Sequence, residues 1–260
     1  MILIFFKNKT ICKKGLLSLG ISLLFLGLTQ AHADCAAAAA PRVNWAGCDK
    51  SGQDFSGKDL SEAVLSHANL QAANFSGARL KHADFDLSNI SNAIFDKARM
   101  QGARLVGAKV DQATFKGTIM DDASFSRSEM NQVDFQGARL NRAKFYESKL
   151  AGANFTNAVL QDANFSRAYL VNAVFDGANL SQADMSSVSA ESASFKKAVM
   201  VSVILNRADL KFADFSGADL SKASMREAVI DDAIFVDTRL GRAIWFDLRR
   251  CRASSLGDCQ

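Results

Sequence analysis

The stretch ANFSGARLKHADF, Ala73 to Phe85, carries a large apolar residue at every fifth position (Phe75, Leu80, Phe85) and an alanine two places before each (Ala73, Ala78, Ala83). Extended in both directions, the pattern runs from Phe55 to Trp245 without insertion or deletion. All but one of its 39 fifth positions are large and apolar, Ala190 being the exception. The position two before is Ala, Ser, Thr or Val in 37 of the 39, with Gln53 and Lys58 as the departures. A helix period of 3.6 and a strand period of 2 both fail to sustain such a run, and so does a heptad. A strict short repeat instead predicts a solenoid, whose stacked coils bury one continuous core.

Sorting the fifth positions by twenties gives four columns. One is phenylalanine throughout: Phe55, Phe75, Phe95, Phe115, Phe135, Phe155, Phe175, Phe195, Phe215 and Phe235. The opposite column mixes Leu65, Phe85, Phe125, Phe145 and Phe165 with Met185, Met225 and Trp245, and the two between contain no aromatic residue. An unbroken Phe column requires that one coil take 20 residues. The expected role of the rings is a packed core. Ala190 is expected to leave a small gap or to have Met185 lean across it.

At these residues the chain resembles the pentapeptide-repeat proteins, whose motif is A-(N/D)-(L/F)-x-x. ADFSGADLSKA (Ala213 to Ala223) and ANFSRAYLVNA (Ala163 to Ala173) match it closely, and the resemblance covers about residues 43 to 247. It implies an all-β fold, a right-handed quadrilateral parallel β-helix of about ten coils of 20 residues. The large residue and the small one two before it would point inward, while Asn, Ser and Gly would suit the corners. At a coil spacing of about 4.8 Å the rod would be roughly 45–50 Å long.

The first 33 residues stand outside this pattern. Lys7, Lys9, Lys13 and Lys14 precede the apolar run GLLSLGISLLFLGL, and TQAHA follows. This reads as a secretory signal peptide cut between Ala33 and Asp34. The apolar run is 14 residues, short of the roughly 20 that span a bilayer, so no stable membrane insertion is expected after cleavage. The domain plan is therefore 1–33 leader, 34–52 entry cap, 53–247 repeats and 248–260 C-terminal cap. Localisation is expected to be exported, periplasmic or secreted, from a Gram-negative bacterium. The whole chain has 31 basic and 27 acidic residues; all four excess positives lie in the leader, so the remainder balances at 27 each. Neither a basic field for nucleic acid nor an acidic one imitating it is left.

An exported chain with four remaining cysteines predicts disulfides. In a rod, Cys35 and Cys48 lie at one end, Cys251 and Cys259 at the other, and bridged Cα atoms must approach within about 7 Å. The expected pairs are Cys35–Cys48 and Cys251–Cys259. Trp45 and Trp245 are expected as lids, and Lys50 marks an irregular entry coil.

No catalytic, cofactor or metal residues are expected. His67 and His82 fall on different faces, HxxxH spacing is absent, and GKDLS at Gly57 lacks the ending of a phosphate-binding loop. Two surface features remain. Arg79, Arg99, Arg139 and Arg239 recur in one outward column, with Arg104, Lys109, Lys144 and Lys149 nearby. Val199, Val201, Ile204 and Phe212, followed by Val229, Ile234 and Val236, are apolar at places that are usually polar and suggest a protein-partner surface. The expected function is a non-enzymatic structural or protein-interaction module whose partner is another protein; a homodimer has no specific support. The alternative implied by the resemblance is a DNA-mimicking binder of DNA gyrase, and the neutral mature charge and the leader weigh against it.

Overall fold

The computed structural model describes residues 33–260; of the expected leader, residues 1–32 lie outside the described residues. The unit around Phe75 shows how five residues make one side of a coil. Side chains alternate inward and outward along an extended segment, so Ala73 and Phe75 are buried while Asn74 faces out. The chain then turns. Asn74 Oδ1 accepts hydrogen bonds from the Ser76 N–H (3.0 Å) and the Ser76 hydroxyl (2.6 Å), and the Ala78 N–H donates to the Phe75 carbonyl (2.9 Å). Asp54, Asn164 and Asp214 repeat the arrangement with Ser56, Ser166 and Ser216, which explains the Asp/Asn and Ser preference.

The second turn residue has positive φ at each repeat: 65° at Gly77, but also 56° at His82 and 57° at Ala72. Glycine adopts this region freely, whereas a Cβ makes it unfavourable by about 1–2 kcal/mol. Ala72 is exposed there. Ala72→Gly is therefore expected to stabilise the fold by about 0.5–1 kcal/mol after the unfolded-state entropy of glycine is subtracted. Thermal unfolding of the variant checks this, and a lowered midpoint would contradict it.

Coils pair with the coil 20 residues on. Phe75 N–H donates to Ile94 O (2.6 Å), Gly77 N–H to Asp96 O (2.9 Å), and Asn74 N–H back to Gln53 O (2.9 Å). Parallel bridges in this register run from Asn44↔Val64 to Ser224↔Ile244. Each is a single-residue bridge, because two of every five residues are used in turning. The register begins within the segment expected to be an entry cap: Val43 and Trp45 already occupy inward places, so residues 43–52 belong to the coil.

The Phe column is continuous. Rings from Phe55 to Phe235 stack at 4.7–5.1 Å, and Phe85, Phe125, Phe145 and Phe165 meet them edge-on, as at Phe145–Phe155 (5.7 Å, 86°). Face-stacked within a column and edge-to-face between columns, the rings satisfy both preferred geometries. From Ala63 to Ala223 the small inward residues are fully buried. Where one carries a hydroxyl, it bonds a carbonyl: Ser88 to Phe85 O (2.7 Å) and Thr118 to Phe115 O (2.7 Å). Ala190 does not disturb the backbone. Its N–H reaches Asp209 O at 2.8 Å and it is fully buried.

Both ends are bridged as expected. Cys35–Cys48 and Cys251–Cys259 have Cα separations of 5.5 and 4.8 Å. At the entry end Trp45 packs on Phe55 (5.0 Å) and donates its indole N–H to Ala37 O (3.2 Å). Lys50, at an inward position, is 8% exposed and lays its ammonium 4.4 Å from the Trp45 ring centroid, so an aromatic face receives the misplaced cation.

Candidate interaction surface

The wall is laced from coil to coil by ion pairs. Arg42 meets Glu62 (2.8 Å), Arg142 meets Asp122 (2.7 Å), Lys149 meets Glu129 (2.7 Å) and Arg207 meets Glu227 (2.7 Å). Acids thereby lie below their ordinary pKa: Glu62 chiefly through the Arg42 hydrogen bond, Asp122 through Arg142, Glu129 through Lys149. The turn-capping carboxylates Asp49 and Asp54 are lowered first by the backbone N–H of Ser51 and Ser56. A carboxylate whose folded pKa is depressed stabilises the fold fully above its unfolded pKa and stops doing so as pH falls through the folded value. The thermal midpoint is expected to hold steady from neutral pH down to about pH 4 and to fall below it. A melting series across that range decides the point; a midpoint rising on acidification would refute it.

The arginine column forms as expected. Arg79 and Arg99 are bridged neighbours, and with Ser61, Lys81 and Gln101 they line a shallow groove. Most of the basic patch is neutralised, however: Arg79 by Asp59 (3.0 Å), Arg139 by Asp121 (2.5 Å), Arg239 by Asp219 (3.7 Å), and Arg104 by Asp86. His67 and His82 sit at different corners. The His82 ring lies over Gly102, where an added Cβ would come within 2.4 Å of Nδ1. Among the described residues no group of three or more His, Cys, Asp or Glu side chains is placed to hold a metal ion.

The four apolar candidates separate. Val199 and Ile204 are outward residues of adjacent sides, exposed by 41% and 38%, with Val201 at the turn between them. Val201 is half-buried, like most first-turn residues, because side chains there lie along the wall. Phe212, 52% exposed, stands at a different corner, the one leading from the Leu210 side to the Phe215 side, below the Asp231–Asp232 turn that separates Val229 from Ile234. One sequence cluster is thus two surfaces.

Eight copies of the pentapeptide-repeat model match residues 51–81, 148–186 and 208–244, and a second model, the pentapeptide repeat region, matches 88–165. Together they span more than half of the chain. This chain is a pentapeptide-repeat protein. Its fold is similar to that of HetL, a pentapeptide-repeat protein involved in heterocyst differentiation regulation from the cyanobacterium Nostoc sp. strain PCC 7120. The two are 24% identical over 81% of this chain and 92% of HetL, with a TM-score of 0.58. QnrB1, a plasmid-mediated fluoroquinolone resistance protein, aligns in its trypsin-treated form at 18% identity over 67% of this chain and 85% of that one, with a TM-score of 0.45. No curated protein matches the sequence. Within the repeats of this pentapeptide-repeat protein the models leave residues 82–87 and, at greater length, 187–207 unmatched. The longer segment contains Ala190, Val199, Val201 and Ile204.

Proposed function

We propose that this protein is a non-enzymatic, exported interaction module built as a right-handed quadrilateral β-helix of about ten coils, and that its partner is another protein docking across Val199, Val201 and Ile204. The observation that carries this reading is the set of apolar residues exposed on a regular wall within residues 187–207. No family model matches the segment, although it keeps the five-residue beat at every place but Ala190, and its coil register is undisturbed: Ser187 N–H reaches Asn206 O (2.9 Å) and Leu205 N–H reaches Ser224 O (2.7 Å). Folding does not require apolar residues on the outside there, since most outward places in the coils before it are polar and the exposed apolar ones, such as Ile94 and Tyr169, stand singly, whereas Val199, Val201 and Ile204 fall together on adjacent sides. A partner surface does. The two disulfides accord with an oxidising compartment.

Crosslinking from position Val199 in cells, compared between wild type and a Val201→Glu/Ile204→Glu variant, tests the proposal. The expected outcome is one crosslinked protein that the variant loses by at least tenfold. Surface substitutions of this kind shift stability by only about 0.5 kcal/mol, so the melting midpoint serves as the control. Equal crosslinking by the variant would rule the surface out.

A further inference from the structure

In interior coils each repeat makes the same connections to the next coil. The N–H groups of the large inward residue and of the second turn residue donate forward, and the carbonyl of the small inward residue accepts from it. At the C-terminal end, residues 248–260 take over these connections on two of the four sides. Leu240 N–H reaches Ser255 O (3.0 Å), Trp245 N–H reaches Arg249 O (2.8 Å) and Cys251 N–H reaches Ala243 O (2.9 Å), with antiparallel bridges Arg239↔Leu256 and Ile244↔Arg250. On the other two sides, residues 228–237, nothing takes over. The N–H groups of Ile230, Asp232, Phe235 and Asp237 and the carbonyls of Ala228 and Ala233 make no hydrogen bond among the described residues.

The core is open at the same place. Ile230 and Phe235 are the only large inward residues between Phe55 and Trp245 that are not buried. Outside them Ile234 (44%) and Val236 (60%) are exposed. The ten residues 228–237 contain Asp231, Asp232 and Asp237 and no base, and none of the three carboxylates has an ion-pair partner among the described residues. An edge of unpaired backbone is a template for an added strand, and here the edge is apolar with acidic corners.

We infer that the 228–237 edge binds an extended basic segment of another polypeptide, which lays down the missing half-coil. The molecule itself shows the contacts required. Arg142 over Asp122 and Lys149 over Glu129 are cations placed one coil beyond an acid, so the added segment needs Lys or Arg above Asp232 and Asp237. Filling over Ile230 and Phe235 needs a large apolar residue every fifth place, with a small one two before it. A second copy presenting the same edge would oppose like carboxylates, and like charges brought together in this way disfavour association.

The probe is a fluorescent peptide with the sequence Ala-Asn-Leu-Ser-Lys-Ala-Asn-Leu-Ser-Lys, added to protein expressed with its own leader and purified as the cell processes it. Saturable binding is expected, with slowed hydrogen exchange at the amides of Ile230, Asp232, Phe235 and Asp237. A scrambled peptide is expected to bind at least tenfold more weakly. Charge reversal, Asp232→Lys with Asp237→Lys, is expected to weaken the lysine peptide by at least tenfold and to favour its glutamate counterpart. The Val201→Glu/Ile204→Glu variant is expected to bind the peptide like wild type, which separates this edge from the lateral surface. No binding, equal binding of the scrambled peptide, indifference to charge reversal, or protection of the edge amides by concentration-dependent dimerisation would each overturn the inference.

Discussion

Phe155→Ala is expected to destabilise the fold by about 3–5 kcal/mol, the range for deleting a large buried aromatic from a packed core. Phe155 has no exposed surface and touches four rings. Phe135 (5.0 Å) and Phe175 (4.7 Å) stack on its faces, while Phe145 (5.7 Å) and Phe165 (5.6 Å) meet it edge to face. Each such contact is worth about 0.5–1.5 kcal/mol beyond area burial. Because every coil contacts only its neighbours, the loss falls on the junction between the two halves of the rod. Urea unfolding followed by circular dichroism is expected to show a lower midpoint and a broadened or split transition. Phe235→Ala, at the partly open end, is expected to lose less than half as much. Equal losses at the two positions would mean that the column does not act as one stack.

Removing the C-terminal disulfide, as Cys251→Ser with Cys259→Ser, is expected to cost the cap about 2.5 kcal/mol on the loop-entropy scale for a short loop, the cysteines being 8 residues apart. The effect is local. The cap holds Leu240 through Ser255 and Trp245 through Arg249, so these amides are expected to exchange faster while the central coils keep their protection. The Cys35–Cys48 loop, 13 residues apart, is expected to lose slightly more, about 3 kcal/mol, and to expose Trp45 and Lys50. Native-state hydrogen exchange with and without a reductant measures both, and unchanged end amides would show that the caps hold without their bridges.

Much of this architecture is written in the order of residues. The inward places, the 20-residue coil and the alanine corners follow from a five-residue beat, because each unit forms its own turn with local bonds such as Asn74 to Ser76. The disulfide pairing follows as well, since a rod keeps its ends apart. The interaction surfaces were only half legible. Val199, Val201, Ile204 and Phe212 look like one cluster in the chain, but two corners divide them, and Val201 at its turn position is half-buried along the wall. Lys50 reads as a break in the pattern, and only the neighbouring Trp45 ring explains how a cation sits there.

The period of five and its apolar filling are local and repetitive, so the amino-acid order alone settles the coil and its core. The path of residues 248–260 is neither. They lack the beat, and where they fold back depends on contacts with Leu240, Ala243 and Trp245 made across the end of the rod. Only in three dimensions does it emerge that this segment crosses two sides and leaves 228–237 with open backbone, exposed Ile234 and unpaired carboxylates. Burial and hydrogen-bond completion at an end are properties of what lies above a residue, and nothing in the repeat specifies that.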